Sequence, residues 1–377
     1  MSPRGRTAAA SEDPQWRKLP LDNLTLTKKE GFGSFAEAPA AARPEAHTRA
    51  QLKGLGEQAL ACYNDDRNRW HANMKPVRTK EVDLLHEHLN EIFNASLRQG
   101  SQQAKSAAAI DAFPGLGKTT AALAFARDVH NRLIAKDGRF TAAGHERWPV
   151  CRVGMTGDTR MKDFNWALLE FFAHAGRNSG TANMFAYQAL DCVTSCETKL
   201  IIVDDLQFLQ FQSKSGTELS NHFKFIANEF PVMLLFIGHD LRGKGLYLDP
   251  QLERRVTPLG LEPFRIEDEQ GRLQWRSLLL ALEQRLVLAE KYPGMLADDL
   301  ADDLFARTTG HIGSLMTLLM RACERAIRTG EERVTRELLS RIRLDAAAER
   351  LRAEWEVALQ SGTKTSRPAR VKGGAAK

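Results

Sequence analysis

The chain has 377 residues, of which 43% are hydrophobic, 27% charged and 7% aromatic, the composition of an ordinary globular protein with room for about two domains. No apolar run reaches membrane-spanning length (PVMLLFIG at 231–238 is far too short) and the first fifteen residues lack the apolar core of a secretory signal, so a cytoplasmic protein with no membrane partner is expected. The net charge of +6 is weak support for nucleic-acid binding, because the segment 364–377 carries Lys364, Arg367, Arg370, Lys372 and Lys377 with no acid; removing those five charges leaves +1.

Residues 1–50 are rich in Ala, Pro, Gly and charge without a sustained apolar period, so they are expected to lack stable structure. From Val82 a helical pattern begins, with Leu84, Leu85, Leu89, Ile92 and Phe93 recurring every third or fourth place and Thr79 as N-cap. A short apolar run, AAAIDAF, leads into the loop DAFPGLGKTT at 111–120. Beyond it Ala122, Phe125, Ala126, Val129 and Leu133 mark one helical face. Further short apolar runs follow at 148–156, 199–205, 231–239 and 256–264, with helical patterns at DFNWALLEFFAHAG and TELSNHFKFIANEF between them. Strands alternating with helices predict an α/β fold with a parallel sheet, whose ligand lies at the carboxyl ends of the strands. After about residue 268 the pattern is helical only, which predicts a small bundle. Cys62, Cys151, Cys192, Cys196 and Cys323 form no C-x-x-C pair, and they are read as packed thiols rather than a disulfide or zinc set.

The loop departs from the phosphate-binding pattern G-x-x-x-x-G-K-[ST] only at its first position, which holds Ala112. In such a loop successive backbone N–H groups and a helix N-terminus surround the phosphates, the lysine reaches the terminal ones and the next hydroxyl coordinates Mg²⁺. Those parts are supplied by Pro114, Gly115, Leu116, Gly117, Lys118, Thr119 and Thr120. The first residue only turns the chain out of the strand, so a methyl group there is tolerable wherever φ is negative. Downstream, the apolar strand LIIVDD ends in paired acids, as a Walker B site does. Asp204 would hold Mg²⁺ through water, and Asp205 stands where many ATPases keep a glutamate that polarises the attacking water. Asp205 is one methylene shorter than that glutamate, which leaves room for slow hydrolysis. ATP and Mg²⁺ are therefore the expected cofactors.

P-loop, Walker B, a later strand and a helical bundle in this order make residues from about 75 to 345 resemble an AAA+ ATPase with its lid. Within that superfamily the chain resembles the TniB/TnsC ATPases of DNA transposition, relatives of the IstB and DnaC helicase-loader-like group. The likeness rests on PVRTKEVDLLHEHLNEIF, VGMTGDTRMKDFNWALLEFF and FARTTGHIGSLMTLLMRACERAIRTGEERVT; VDDLQFL is also similar to the replication initiator DnaA. The resemblance implies an AAA+ α/β unit over 51–267, a helical lid over 268–345, and a helix end with a basic flexible tail over 346–377. It places His239 at the sensor 1 position, where a histidine is unusual, and either Arg254 or Arg255 (with Arg255 the choice) as an arginine finger reaching a neighbouring subunit. Gly313 occupies the slot of a sensor 2 arginine. Head-to-tail assembly into a ring or helical filament follows. Contact with double-stranded DNA would fall to Arg160, Lys162 and Lys214, which read equally well as solvated charges. The implied function is an ATP-dependent transposition regulator that recruits or activates a transposase; a helicase loader and a nucleotide-gated signalling switch not acting on DNA are the alternatives. Signalling ATPases usually continue into sensor repeats, whereas this sequence ends soon after the lid.

Overall fold

Five apolar stretches form a single parallel sheet in the order β2-β3-β4-β1-β5. The computed structural model describes residues 25–368 except 40, 101–102, 158, 351, 353–358 and 360–363. In chain order the elements are α1 (Lys29–Glu37), α2 (Arg49–Gly54), α3 (Glu57–Ala72), α4 (Lys80–Arg98), β1 (Ala107–Asp111), α5 (Lys118–Asp137), β2 (Val150–Gly154), α6 (Met161–Phe171) and α7 (Ala182–Ser195). They continue with β3 (Leu200–Asp204), α8 (Lys214–Glu229), β4 (Met233–Gly238), the short α9 (Pro250–Glu253), β5 (Val256–Gly260), α10 (Glu269–Arg285), α11 (Ala301–Thr308), α12 (Ile312–Thr329) and α13 (Arg336–Ser340).

Strands β3 and β4 are buried throughout, as continuous apolar runs in a sheet flanked by helices require. Thr79 caps α4 through Oγ1, which accepts the Val82 N–H, and Leu85, Leu89 and Phe93 form the buried stripe of that helix, whereas Leu84 is turned to solvent. On α5, Ala122, Phe125, Ala126 and Val129 are buried against the sheet core as their spacing predicts. A second apolar cluster, built from α10 to α13, forms the helical lid around Trp275.

The N-terminal region departs from expectation. Residues 25–50 are largely ordered: α1 inserts the fully buried Phe32 against His130 and Phe171, and Gly33 lies so close to Trp148 that a Cβ would sit 3.0 Å from its Cη2. Two glycines in nine residues hide this helix from periodicity, because it packs by close approach rather than by a long apolar stripe. Residues 1–24 lie outside the described residues. Helix α3, assigned from sequence to the α/β unit, packs on lid helix α12. There the Arg67 guanidinium donates to both Glu332 carboxylate oxygens at 2.6 and 3.0 Å, both side chains being buried. Glu332 also accepts the Ala289 N–H at 3.1 Å, so α3 is tied to the lid by charge-assisted bonds. The tail is a second correction: Ser366 is fully buried, and its N–H and Oγ both donate to Asp302 Oδ1 of α11. Asp302 thus holds the first part of that basic segment, and residues 369–377 lie outside the described residues.

Two buried histidines make stability pH-dependent. The His71 Nε2 accepts the Val287 N–H at 3.0 Å, and burial, with Arg67 as a smaller contributor, lowers its pKa to about 4. Burial likewise lowers His222, which bonds Asn165, to about 4. Both titrate near 6.5 when unfolded, so the folded state holds them neutral; their contribution is complete above about pH 6.5 and is lost as pH falls toward 4. Denaturant unfolding should give stability that is flat from pH 8 to 7 and then declines with a slope approaching about 1.4 kcal/mol per pH unit for each histidine. A profile that stays flat to pH 4.5 would contradict this.

Candidate nucleotide-binding site

The loop between β1 and α5 is built for close backbone approach. Its positive φ angles fall on Gly115 (81°) and Gly117 (82°), the conformation glycine adopts without cost, while Ala112 has negative φ. The Ala112 N–H donates to the Gly238 carbonyl of β4 at 3.3 Å and its methyl is buried, so alanine fits where the pattern has glycine. Helix α5 begins at Lys118 with no side-chain cap, leaving its first N–H groups directed at the loop. The Lys118 ammonium donates to the Ala112 and Phe113 carbonyls at 2.6 and 3.0 Å, closing the loop on itself. Burial pulls the Lys118 pKa below its ordinary value, and the carboxylates of Asp111, Asp204 and Asp205 oppose that shift.

Strand β3 delivers Asp204 to the same place. Its Oδ1 lies 3.4 Å from Thr119 Oγ1 and accepts the Asp205 N–H at 2.9 Å. A buried carboxylate beside a helix-start hydroxyl is the donor set a water-bridged Mg²⁺ needs, and the loop supplies the phosphate side, so these residues fit Mg²⁺ with a nucleoside triphosphate. Asp205 takes left-handed backbone (φ 64°), which short polar side chains tolerate, and its Oδ1 accepts from Gln207 Nε2 at 3.0 Å. Sequence reading missed Arg152 of β2, whose Nη2 donates to Asp204 Oδ2 at 2.7 Å. A charged residue within the apolar run PVCRVGM is the available signal, since a largely buried arginine needs a partner.

The lid closes the site from above. The N–H of Gly313, at the start of α12, donates to the Gly115 carbonyl at 2.8 Å, and a Cβ at Gly313 would stand 2.8 Å from that oxygen. Glycine at position 313 therefore permits backbone contact between lid and P-loop that any side chain would crowd. Beside Leu116 a cavity of about 180 Å³ opens between the start of α4 and the lid, with Val82, Leu261, Phe264 and Ile312 among its apolar walls. Its position next to the loop suits a nucleoside base.

The other expected site residues spread over two edges of the sheet. His239 follows β4 and packs its ring 4.7 Å from Phe113, which puts it beside the loop. Arg160, Lys162 and Lys214 are exposed at the starts of α6 and α8, on the same carboxyl edge of the strands, and the Lys162 ammonium lies 5.4 Å over the Phe185 ring. Arg254 and Arg255 precede β5 and so lie at the opposite edge, where the Arg255 Nη1 donates to Asn228 Oδ1 at 2.9 Å and Arg254 is exposed. They are not brought to their own P-loop.

A five-stranded parallel sheet with β1 between β4 and β5, a P-loop, a Walker B strand and a helical lid define a P-loop AAA+ ATPase fold. Among solved structures it is similar to the Orc1 protein of Aeropyrum pernix in complex with DNA (TM-score 0.53, 21% identity, covering 79% of this chain and 72% of that one). It is also similar to Cdc6p of Pyrobaculum aerophilum (TM-score 0.50, 15% identity, covering 70% and 67%). Residues 67–266 match the bacterial TniB protein family, and the chain belongs to it. No curated protein matches the chain. Among the described residues no helix is long and apolar enough to cross a membrane.

Proposed function

We propose that this chain is an ATP-dependent regulator of DNA transposition in the cytoplasm that assembles head to tail on double-stranded DNA and recruits or activates a transposase. The observation that carries the reading is the junction of Thr119, Lys118 and Asp204 at the carboxyl end of a sheet in a TniB-family chain. Lys118 would neutralise the terminal phosphates, Thr119 and, through water, Asp204 would hold Mg²⁺, and the ion would supply charge neutralisation for phosphoryl transfer. Asp205 would polarise the attacking water, and His239 would contact the phosphate end beside Phe113. The two units divide the labour: residues 51–267 are proposed to hold the nucleotide, apart from α3, which is tied to the lid through Arg67 and Glu332, and residues 268–345 to close over it.

Separating the two acids tests the chemistry. Asp205→Asn should keep Mg²⁺ and ATP binding but slow steady-state hydrolysis by roughly 10- to 100-fold, whereas Asp204→Asn should weaken binding only when Mg²⁺ is present. Wild-type turnover in Asp205→Asn would transfer the water-polarising role to another group.

Arg160, Lys162 and Lys214 present positive charge on the nucleotide edge, and a few phosphate contacts per subunit become strong only when assembly aligns them. With ATP and a long duplex, sedimentation and electron microscopy should show multimers whose DNA affinity is indifferent to sequence and falls steeply with salt. Reversing charge at Arg160 and Lys162 together should flatten the salt dependence while leaving ATP affinity of the free protein unaltered. A monomer that ignores DNA at low salt would overturn the transposition reading.

A further inference from the structure

The Walker B carboxylate already has a cationic partner. Arg152 and Asp204 are brought together by strand register: Arg152 stands opposite Ile202 and Gly154 opposite Asp204, so the arginine reaches diagonally across the β2–β3 pair. The Nη2–Oδ2 distance is 2.7 Å, and the side chains are only 15% and 3% exposed. Asp204 thus spends Oδ2 on Arg152, while Oδ1 accepts from the Asp205 N–H and faces Thr119. Among the described residues the buried Arg152 Nε has no hydrogen-bond partner, and the Asp204 carboxylate is the group that its Nη2 bonds.

We propose that Arg152 is a positioning residue that neutralises Asp204 before nucleotide arrives, so that Mg²⁺ is accepted at Walker B only together with the phosphates. This rests on the nucleotide-binding reading above. Around the loop Asp111, Asp204 and Asp205 face Lys118, and Arg152 joins Lys118 as a second positive charge against those three carboxylates. A divalent cation approaching Asp204 alone meets the guanidinium on the same carboxylate, and the two repel across a short, poorly screened distance. When the triphosphate is present its own negative charge would offset both cations, so that Asp204 could serve the metal while keeping its bond to Arg152. Removing the arginine has two opposite effects. Without metal, the uncompensated Asp204 repels the phosphates; with metal, nothing competes for the carboxylate.

Calorimetric titration of ATP, in EDTA and across a series of Mg²⁺ concentrations, tests this with wild type, Arg152→Met and Arg152→Lys. Methionine keeps much of the volume without charge, and lysine keeps the charge. In Arg152→Met the affinity in EDTA should fall while the Mg²⁺ concentration giving half-maximal stimulation drops about tenfold, and Arg152→Lys should stay close to wild type. An Mg²⁺ midpoint that is unmoved or higher in Arg152→Met, or a lysine variant behaving as the methionine one, overturns the proposal by making the residue a scaffold. Should Arg152→Met lose its folded circular-dichroism spectrum, Arg152→Gln answers the same question with the same outcomes. If wild type itself binds no ATP with or without Mg²⁺, the nucleotide reading fails first; wild-type binding with an unshifted midpoint defeats only the role of Arg152.

Discussion

Lys118→Ala is expected to remove measurable ATP binding while leaving the fold intact. The ammonium is half-buried between the loop carbonyls it bonds and three carboxylates, so a phosphate that displaces those carbonyls meets a charge already stripped of part of its water. A charge-assisted contact in such a place is worth roughly 3 kcal/mol or more, about a hundredfold or greater in affinity. Truncation leaves the Ala112 and Phe113 carbonyls without their lysine partner, but the loop lies at the surface and water can replace it. The unfolding transition should therefore shift little. Calorimetry is the decisive measurement: a variant that binds ATP as wild type does would remove the phosphates from this loop.

What could be read in advance depended on how local each signal was. The five strands were legible because each is a short apolar run bounded by polar turns, and the P-loop because its geometry follows from a contiguous string of residues. Even the alanine at its first position could be judged correctly, since the requirement there is only a negative φ. Long-range features were not legible. Nothing near Arg67 announces Glu332, 265 positions away, and without that pair α3 reads as an extension of the α/β unit rather than part of the lid. Helix α7 went unread because its buried positions, Phe185, Ala186, Ala189, Cys192 and Val193, are mostly small and give a faint stripe. Arg152 does carry a signal: an arginine in an apolar strand needs an acid, its register partner Ile202 cannot satisfy it, and the acid stands two residues further along β3. Gly313 shows the converse, since the glycine is visible in sequence but the backbone contact it permits with Gly115 is not.

Removing the proposed arginine finger is expected to produce the largest loss of hydrolysis, and geometry shifts the choice within the pair. Arg254 and Arg255 precede β5, whose Val256 is level with Ala107 at the start of β1, whereas the P-loop follows Asp111 at the far end. Four residue steps at about 3.3 Å each separate the two edges by about 13 Å, so neither arginine serves its own nucleotide and any catalytic use must cross to a neighbour. Sequence position favours Arg255, but its guanidinium is occupied by Asn228 Oδ1 and by the Lys224 carbonyl at 3.4 Å, which fixes it along α8. Arg254 is exposed and makes no ion pair among the described residues. Arg254→Ala is therefore expected to lower the hydrolysis rate of the assembled protein by about 10³-fold, the scale of arginine fingers supplied to a neighbouring site, with ATP binding by the free chain unchanged. Arg255→Ala should instead loosen the end of α8 and lower the unfolding midpoint with a smaller loss of rate. Mixing Arg254→Ala with Lys118→Ala should restore part of the hydrolysis, because a lysine variant still offers its intact arginine to a neighbour that binds ATP. If Arg255→Ala alone silences hydrolysis while Arg254→Ala does not, the finger is Arg255 and its bond to Asn228 is the contact that breaks on assembly.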